Sequence, residues 1–234
     1  MRMIRQDLKV LVVAAHPDDE VLGCGGTLIR LKENGAKISV LFLGEGIAAR
    51  FPYQTSYNSK SFQKMTKIRM NGAKRAMKVL GVENYQFGSR YCGQFDNYAL
   101  ISIVKEIENK LEEFKPNILL THSPSEVNID HRLTYEAVEV ACRPTMSYIP
   151  SEIYSFEIPS STNWKFDSSF VPNVFVDVKK VWQKKLKAWH CYEGESRPFP
   201  FPRSDIGLEY LAGYRGMMCG IEKAEAFHLL RSVI

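Results

Sequence analysis

Residues 8–15, LKVLVVAA, form a short β-branched apolar run that ends directly on His16, Pro17, Asp18, Asp19 and Glu20. A run of that length and composition is the pattern of a strand buried on both faces of a parallel sheet. Open parallel sheets bind their ligands beyond the carboxyl ends of the strands. Four ionisable groups within five residues therefore stand where such a fold keeps its site.

The rest of the chain continues a βα alternation. The pattern predicts a helix over 27–34 closed by Gly35, a strand over 38–44, and a long basic amphipathic helix over 62–80 closed by Gly81. Residues 45–60 lack a period and read as an active-site loop. A short strand at 85–87, a helix over 100–114 and a strand over 117–121 follow, then a helix over 131–143 stopped by Pro144. Beyond that point strands are expected at 153–158 and 174–178, a helix over 179–192, a Pro-rich segment at 194–202 and a mostly helical end. The expected fold class is α/β, with a parallel sheet built from the first strands. A single domain covers 1–234, with its core over about 1–145 and a C-terminal elaboration over about 146–234.

The 234 residues carry 31 Lys and Arg against 26 Asp and Glu, a net +5, too mild for a nucleic-acid arm. Five scattered cysteines without a C-x-x-C pair suit a reduced compartment. No secretory leader and no apolar run near the roughly 20 residues of a membrane span are seen. The expectation is a soluble cytoplasmic protein without nucleic-acid partners. No self-association motif is readable, which leaves homo-oligomerisation open.

Gly23, Gly25 and Gly26, between a strand and a helix, invite a phosphate-loop reading. Asp18, Asp19 and Glu20 oppose it, because a phosphate brought there would meet three carboxylates. The preferred reading has the glycines turning the chain around a cation. Imidazole with carboxylate suits Zn²⁺ or another first-row divalent ion, and catalytic zinc sites use three protein ligands. His16 and Asp19 supply two, and the third comes from the loop holding His122 and His131. Asp130 beside His131 and Asn128 before it, able to orient the ring or the substrate, favour His131; packing or a turn hydrogen bond is the plainer role for His122.

The stretch AHPDDEVLGCGGTL resembles the hallmark of the PIG-L/LmbE-like metal-dependent N-deacetylases. NIDHR at 128–132 is similar to the family's second metal motif. Arg69 with Ala76, Leu80 and Gly81 resembles its helix pattern, and Arg215-Gly216 with Gly220 and residues 224–227 (AEAF) its C-terminal motif. The resemblance implies a Rossmann-like three-layer fold with a mostly parallel sheet flanked by helices, His16, Asp19 and His131 as zinc ligands and Asp18 as the general base toward a metal-bound water. It implies as substrate an N-acetylated amino sugar or glycoconjugate, with a phosphorylated one suited to the net charge. The chain departs from the pattern at Asn128, where some members have histidine. An amide cannot act as an acid, which leaves protonated Asp18 to return its proton to the amine. Gly72 and Phe201 also stand where relatives have Glu and His.

Arg69, Asn128, Arg203 and Ser204 are candidates for holding the substrate, each with a structural alternative: an ion pair for Arg69, a helix cap for the Arg203-Ser204 pair. The lysines at 179, 180, 184, 185 and 187 read as a solvated helix face. His190 and His228 are expected in helices without acidic partners at ligand spacing. Trp164, Trp182 and Trp189 read as core, with Trp164 the one able to stack on a pyranose. Hydrolysis of another small amide, or idle binding of a sugar nucleotide on the same scaffold, are the alternative functions.

Overall fold

The computed structural model describes residues 3–52 and 57–234. Residues 53–56 of the expected active-site loop lie outside them. The described elements are β1 (Lys9–Ala14), α1 (Asp19–Glu33), β2 (Lys37–Gly44), α2 (Lys60–Leu80), β3 (Asn84–Arg90), α3 (Leu100–Phe114), β4 (Ile118–His122), α4 (Ile129–Ala141), β5 (Glu152–Phe156), β6 (Val174–Asp177), α5 (Trp182–Trp189), α6 (Asp205–Met217) and β7 (Ala224–Ser232). One seven-stranded sheet has the order β3-β2-β1-β4-β5-β7-β6. The first five strands are parallel, and β7 runs antiparallel between β5 and β6.

The sheet is filled from both faces by the period-2 alternation of its central strand. Val10, Val12 and Ala14 of β1 join the cluster under α1, α2 and α5, while Leu11, Val13 and Ala15 join the one under α3 and α4. This is a three-layer α/β fold. Strand order reverses between β1 and β4, so the crevice at their carboxyl ends is the topological switch point. His16–Asp19 leave β1 there, and His122 closes β4 beside them.

Several expectations fail. The first helix begins at Asp19 rather than Thr27, and Gly23, Gly25 and Gly26 lie inside it without a positive φ. None makes a turn, and Gly23 and Gly26 serve close packing. A Cβ on Gly23 would collide with the Phe156 ring, and one on Gly26 would lie 2.7 Å from Val178. Gly26 and Thr27 instead donate backbone N–H groups to the Glu225 carboxylate, each at 2.7 Å.

The C-terminal segment is also not mostly helical, because β7 inserts between β5 and β6. His228 stands on that strand, bonded to the Val171 carbonyl at 2.6 Å. His190 follows α5 and has an acidic partner after all, with Nε2 2.9 Å from both oxygens of Asp205 on α6. Of the lysine run, Lys185 is buried rather than solvated; its ammonium donates to Glu225 (2.6 Å) and to the Leu22 carbonyl (3.0 Å). Trp182 and Trp189 are core as expected, but Trp164 is 55% exposed.

Candidate metal and catalytic site

Asp18 sits at φ 126°, ψ −27°, a conformation that non-glycine residues avoid at a cost of about 1–3 kcal/mol. It occupies the N-cap of α1 without a side-chain cap bond. Its carboxylate is held elsewhere: Oδ2 accepts from Arg69 Nη1 at 2.8 Å and from Arg203 Nη1 at 3.1 Å. Oδ1 has no protein hydrogen bond among the described residues.

One ligand atom from each of His16, Asp19 and His131 lies within 4.8 Å of the others, and all three residues are buried. His16 Nδ1 and His131 Nε2 are each 3.5 Å from Asp19 Oδ2. Each ring's remote nitrogen meets a carboxylate: His16 Nε2 lies 2.7 Å from Asp130 Oδ2, and His131 Nδ1 lies 3.1 Å from Glu126 Oε2. In the neutral rings, with those nitrogens donating, the inner ones present lone pairs, the tautomers that metal-ligating histidines use. Asp19 Oδ1 is buried without a partner. A buried carboxylate with one oxygen orphaned and the other 3.5 Å from both ring nitrogens fits a divalent cation of the Zn²⁺ class.

Burial works against charge on His16, but Cys92 and the Asp130 and Asp19 carboxylates outweigh it and hold the ring well above an ordinary imidazole. Burial likewise favours a neutral Asp19, yet the His131 and His122 rings keep its carboxyl well below the usual range. His122 is different. Its Nε2 accepts the Ala15 N–H at 2.9 Å, which takes up the lone pair nearest Asp19, and burial pushes its pKa down to about 4. It stacks on His131 with ring centroids 4.0 Å apart.

The other sequence candidates divide. Arg69 is buried and bridges Asp18 to Glu195, with Nη2 2.5 Å from Glu195 Oε1. Arg203 reaches Asp18 while its Nε donates to Ser160 Oγ at 2.7 Å. Asn128 caps α4 by accepting the Asp130 N–H at 2.9 Å, and Ser204 caps α6 by accepting the Gly207 N–H at 3.0 Å. Asp130 turns toward His16 rather than toward its neighbour His131, and also accepts the Gly93 and Phe95 N–H groups.

Sequence reasoning missed Glu126, Glu195 and Cys92, and it placed Glu20 at the site without its partner. Glu126 holds His131 and is itself fixed by the Ser161 and Thr162 hydroxyls. Glu20, raised to about 8 by burial, pairs with the Tyr192 hydroxyl at 2.6 Å. Cys92 groups with His16 and Asp130 at ligand spacing. The spacing of Glu126 five residues before His131 was the one available sign of its role. Glu195 lies 126 residues from Arg69 and gave none.

A family profile described as PIG-L, GlcNAc-PI de-N-acetylase, matches residues 11–142. The diacetylchitobiose deacetylase of Thermococcus kodakarensis is 28% identical over 233 residues, covering 96% of this chain and 84% of that protein. The 4-oxalmesaconate hydratase of Pseudomonas putida is 27% identical over 206 residues, covering 79% and 73%. The solved structure of N,N'-diacetylchitobiose deacetylase from Pyrococcus horikoshii, complexed with its inhibitor MPG, superposes with a TM-score of 0.75 at 22% identity. That match covers 96% of this chain and 84% of the other.

Proposed function

The chain belongs to the PIG-L family of GlcNAc-PI de-N-acetylases, and from that premise we propose that it hydrolyses the N-acetyl group of an amino sugar, with Asp18 as general base beside a zinc site made by His16, Asp19 and His131. The observation that carries this reading is the paired orientation of the two histidines, each with its remote nitrogen on a buried carboxylate. A divalent ion bound by those three residues supplies Lewis acidity, polarising the acetamide carbonyl and acidifying water.

The chain's own residues supply the rest. Arg69 and Arg203 both contact Oδ2 of Asp18, which leaves Oδ1 to take the proton of the attacking water. Fixing the carboxylate on two guanidinium groups keeps it aimed into the cleft, where misplacement by about 1 Å costs on the order of 100-fold in rate. Once protonated, Asp18 hands the proton to the departing amine, a task that Asn128 cannot perform. Asp130 and Glu126 keep the two rings in the ligating tautomer.

A cavity of ≈ 350 Å³ is lined by Ile47, Arg50, Met65, Ile68, Arg69 and Tyr192, and Arg69 links its wall to Asp18. Both its arginines pair with Glu195, Arg69 also with Asp18, and its Glu193 with Arg75, so its charge is balanced and supports a neutral sugar ring better than a phosphate. The hydratase relative supports a second reading, addition of water to an unsaturated acid at the same residues. Metal content by mass spectrometry, with acetate release from GlcNAc, diacetylchitobiose and GlcNAc 1-phosphate, tests the proposal. One zinc per chain and acetate from the neutral sugars are expected. No acetate from any of them, with 4-oxalmesaconate consumed instead, overturns it.

A further inference from the structure

The outer face of α6 is apolar and uncovered. Ile206, Tyr210, Tyr214 and Met217 are 49%, 64%, 53% and 75% exposed, and at about 100° per residue they fall within an arc of about 80°. Phe199 extends the stripe, packing edge-on against Tyr210 at 5.7 Å, and Met218 continues it at the far end. Side chains of these sizes and exposures leave roughly 600–700 Å² of contiguous apolar surface, above the roughly 300–600 Å² of the largest patch on a typical monomer.

We propose that this face is a two-fold interface between copies of the chain, with α6 packed antiparallel on its own image about Tyr210. Three observations point to a second copy. The area is close to the roughly 800 Å² that each partner contributes to a stable interface. The charged residues of α6 itself are paired within the chain, Glu209 with Lys223, Asp205 with His190 and Arg215 with Glu157, while Arg197 beside Phe199 stacks on the Phe201 ring at 5.0 Å. Those on α6 offer no unmatched charge to select an acidic or basic partner, and two identical faces meet there without like-charge repulsion. Finally, Gly213 borders the stripe, and a Cβ built there meets nothing within 4 Å, so backbones can approach closely. Antiparallel pairing about Tyr210 sets Ile206 of one copy against Tyr214 of the other, the reciprocal contacts an isologous interface requires. Ile206 is three residues from Arg203, so the contact braces the segment that reaches Asp18.

Sedimentation velocity on the full chain tests this. The wild type should sediment as an even multiple of 26.8 kDa, and Tyr210→Glu and Tyr214→Glu should each lower the assembly mass at unchanged circular dichroism. Ile101→Glu, at a position 57% exposed on α3 across the sheet from α6, should leave the mass unaltered. A monomeric wild type at 50 µM overturns the proposal, as do unchanged masses in both tyrosine variants. So does a monomer that floats with phosphatidylcholine vesicles, which would make the face a membrane surface.

Discussion

The Arg69 guanidinium lies 2.8 Å from Oδ2 of Asp18, and both side chains are buried. Its second nitrogen lies 2.5 Å from Glu195, which in turn holds Arg50. Burial opposes the charge on Arg69, but Asp18 and Glu195 raise its pKa further still. Arg69→Met therefore removes an anchor from the proposed base and leaves two buried carboxylates short of a partner. We expect kcat to fall about 100-fold, and stability by about 3–5 kcal/mol. Steady-state kinetics and urea unfolding check both, and wild-type turnover in Arg69→Met contradicts the role.

Glu126→Gln and Asp130→Asn each replace the carboxylate behind a proposed ligand. Both are expected to weaken zinc about 10–100-fold, read by competition with a chromophoric chelator. His122→Gln keeps a side-chain acceptor near the Ala15 N–H and should leave zinc affinity nearly unchanged. Loss of zinc in His122→Gln with retention in His131→Gln would reverse the ligand assignment.

The proposed ligands were legible because each falls just beyond a strand end: His16 and Asp19 follow β1 together, and His131 stands in the first turn of the helix after β4. Arg69 and Asp130 were legible as residues but not as contacts. Asp130 pairs with His16, 114 residues away, rather than with the ring beside it. Glu126 and Glu195 gain their roles only when loops close over the switch point, which no local pattern encodes. The glycines misled for a related reason. Their neighbours Phe156 and Val178 come from distant parts of the chain, and a glycine chosen for close packing looks the same in sequence as one chosen for a turn. β7 was misread because its position between β5 and β6, not its own composition, makes it a strand.

Gly23→Ala tests the packing account. Alanine has the higher helix propensity, by about 1 kcal/mol, but its methyl would enter the fully buried Phe156 ring. Overpacking costs about 1–3 kcal/mol, so the expected net result is a lower Tm. Gly213→Ala, where the space is open, should leave Tm equal or higher. Thermal unfolding at a protein concentration that holds assembly constant compares the two.

Cys142 is buried against the α4 side of the sheet, and burial pushes its thiol up to about 12. The folded state therefore favours the protonated form. That contribution to stability is complete below about pH 9, the ordinary thiol value, and is lost as pH rises toward 12. At pH 8 the native protein should label at exposed Cys219 and spare Cys142. Denaturant midpoints between pH 9 and 11 should fall less steeply in Cys142→Ala than in wild type, and equal slopes would contradict the assignment.

The central claim is that Asp18, fixed by Arg69 and Arg203, takes the proton of the water that cleaves an N-acetyl group. The most direct measurement is acetate release from diacetylchitobiose by wild type and Asp18→Ala, each with its zinc content determined. The account predicts one zinc per chain in both, and a kcat at least about 100-fold lower in the variant, within the range of a lost general base. Equal acetate release by the two proteins at equal zinc content would contradict it.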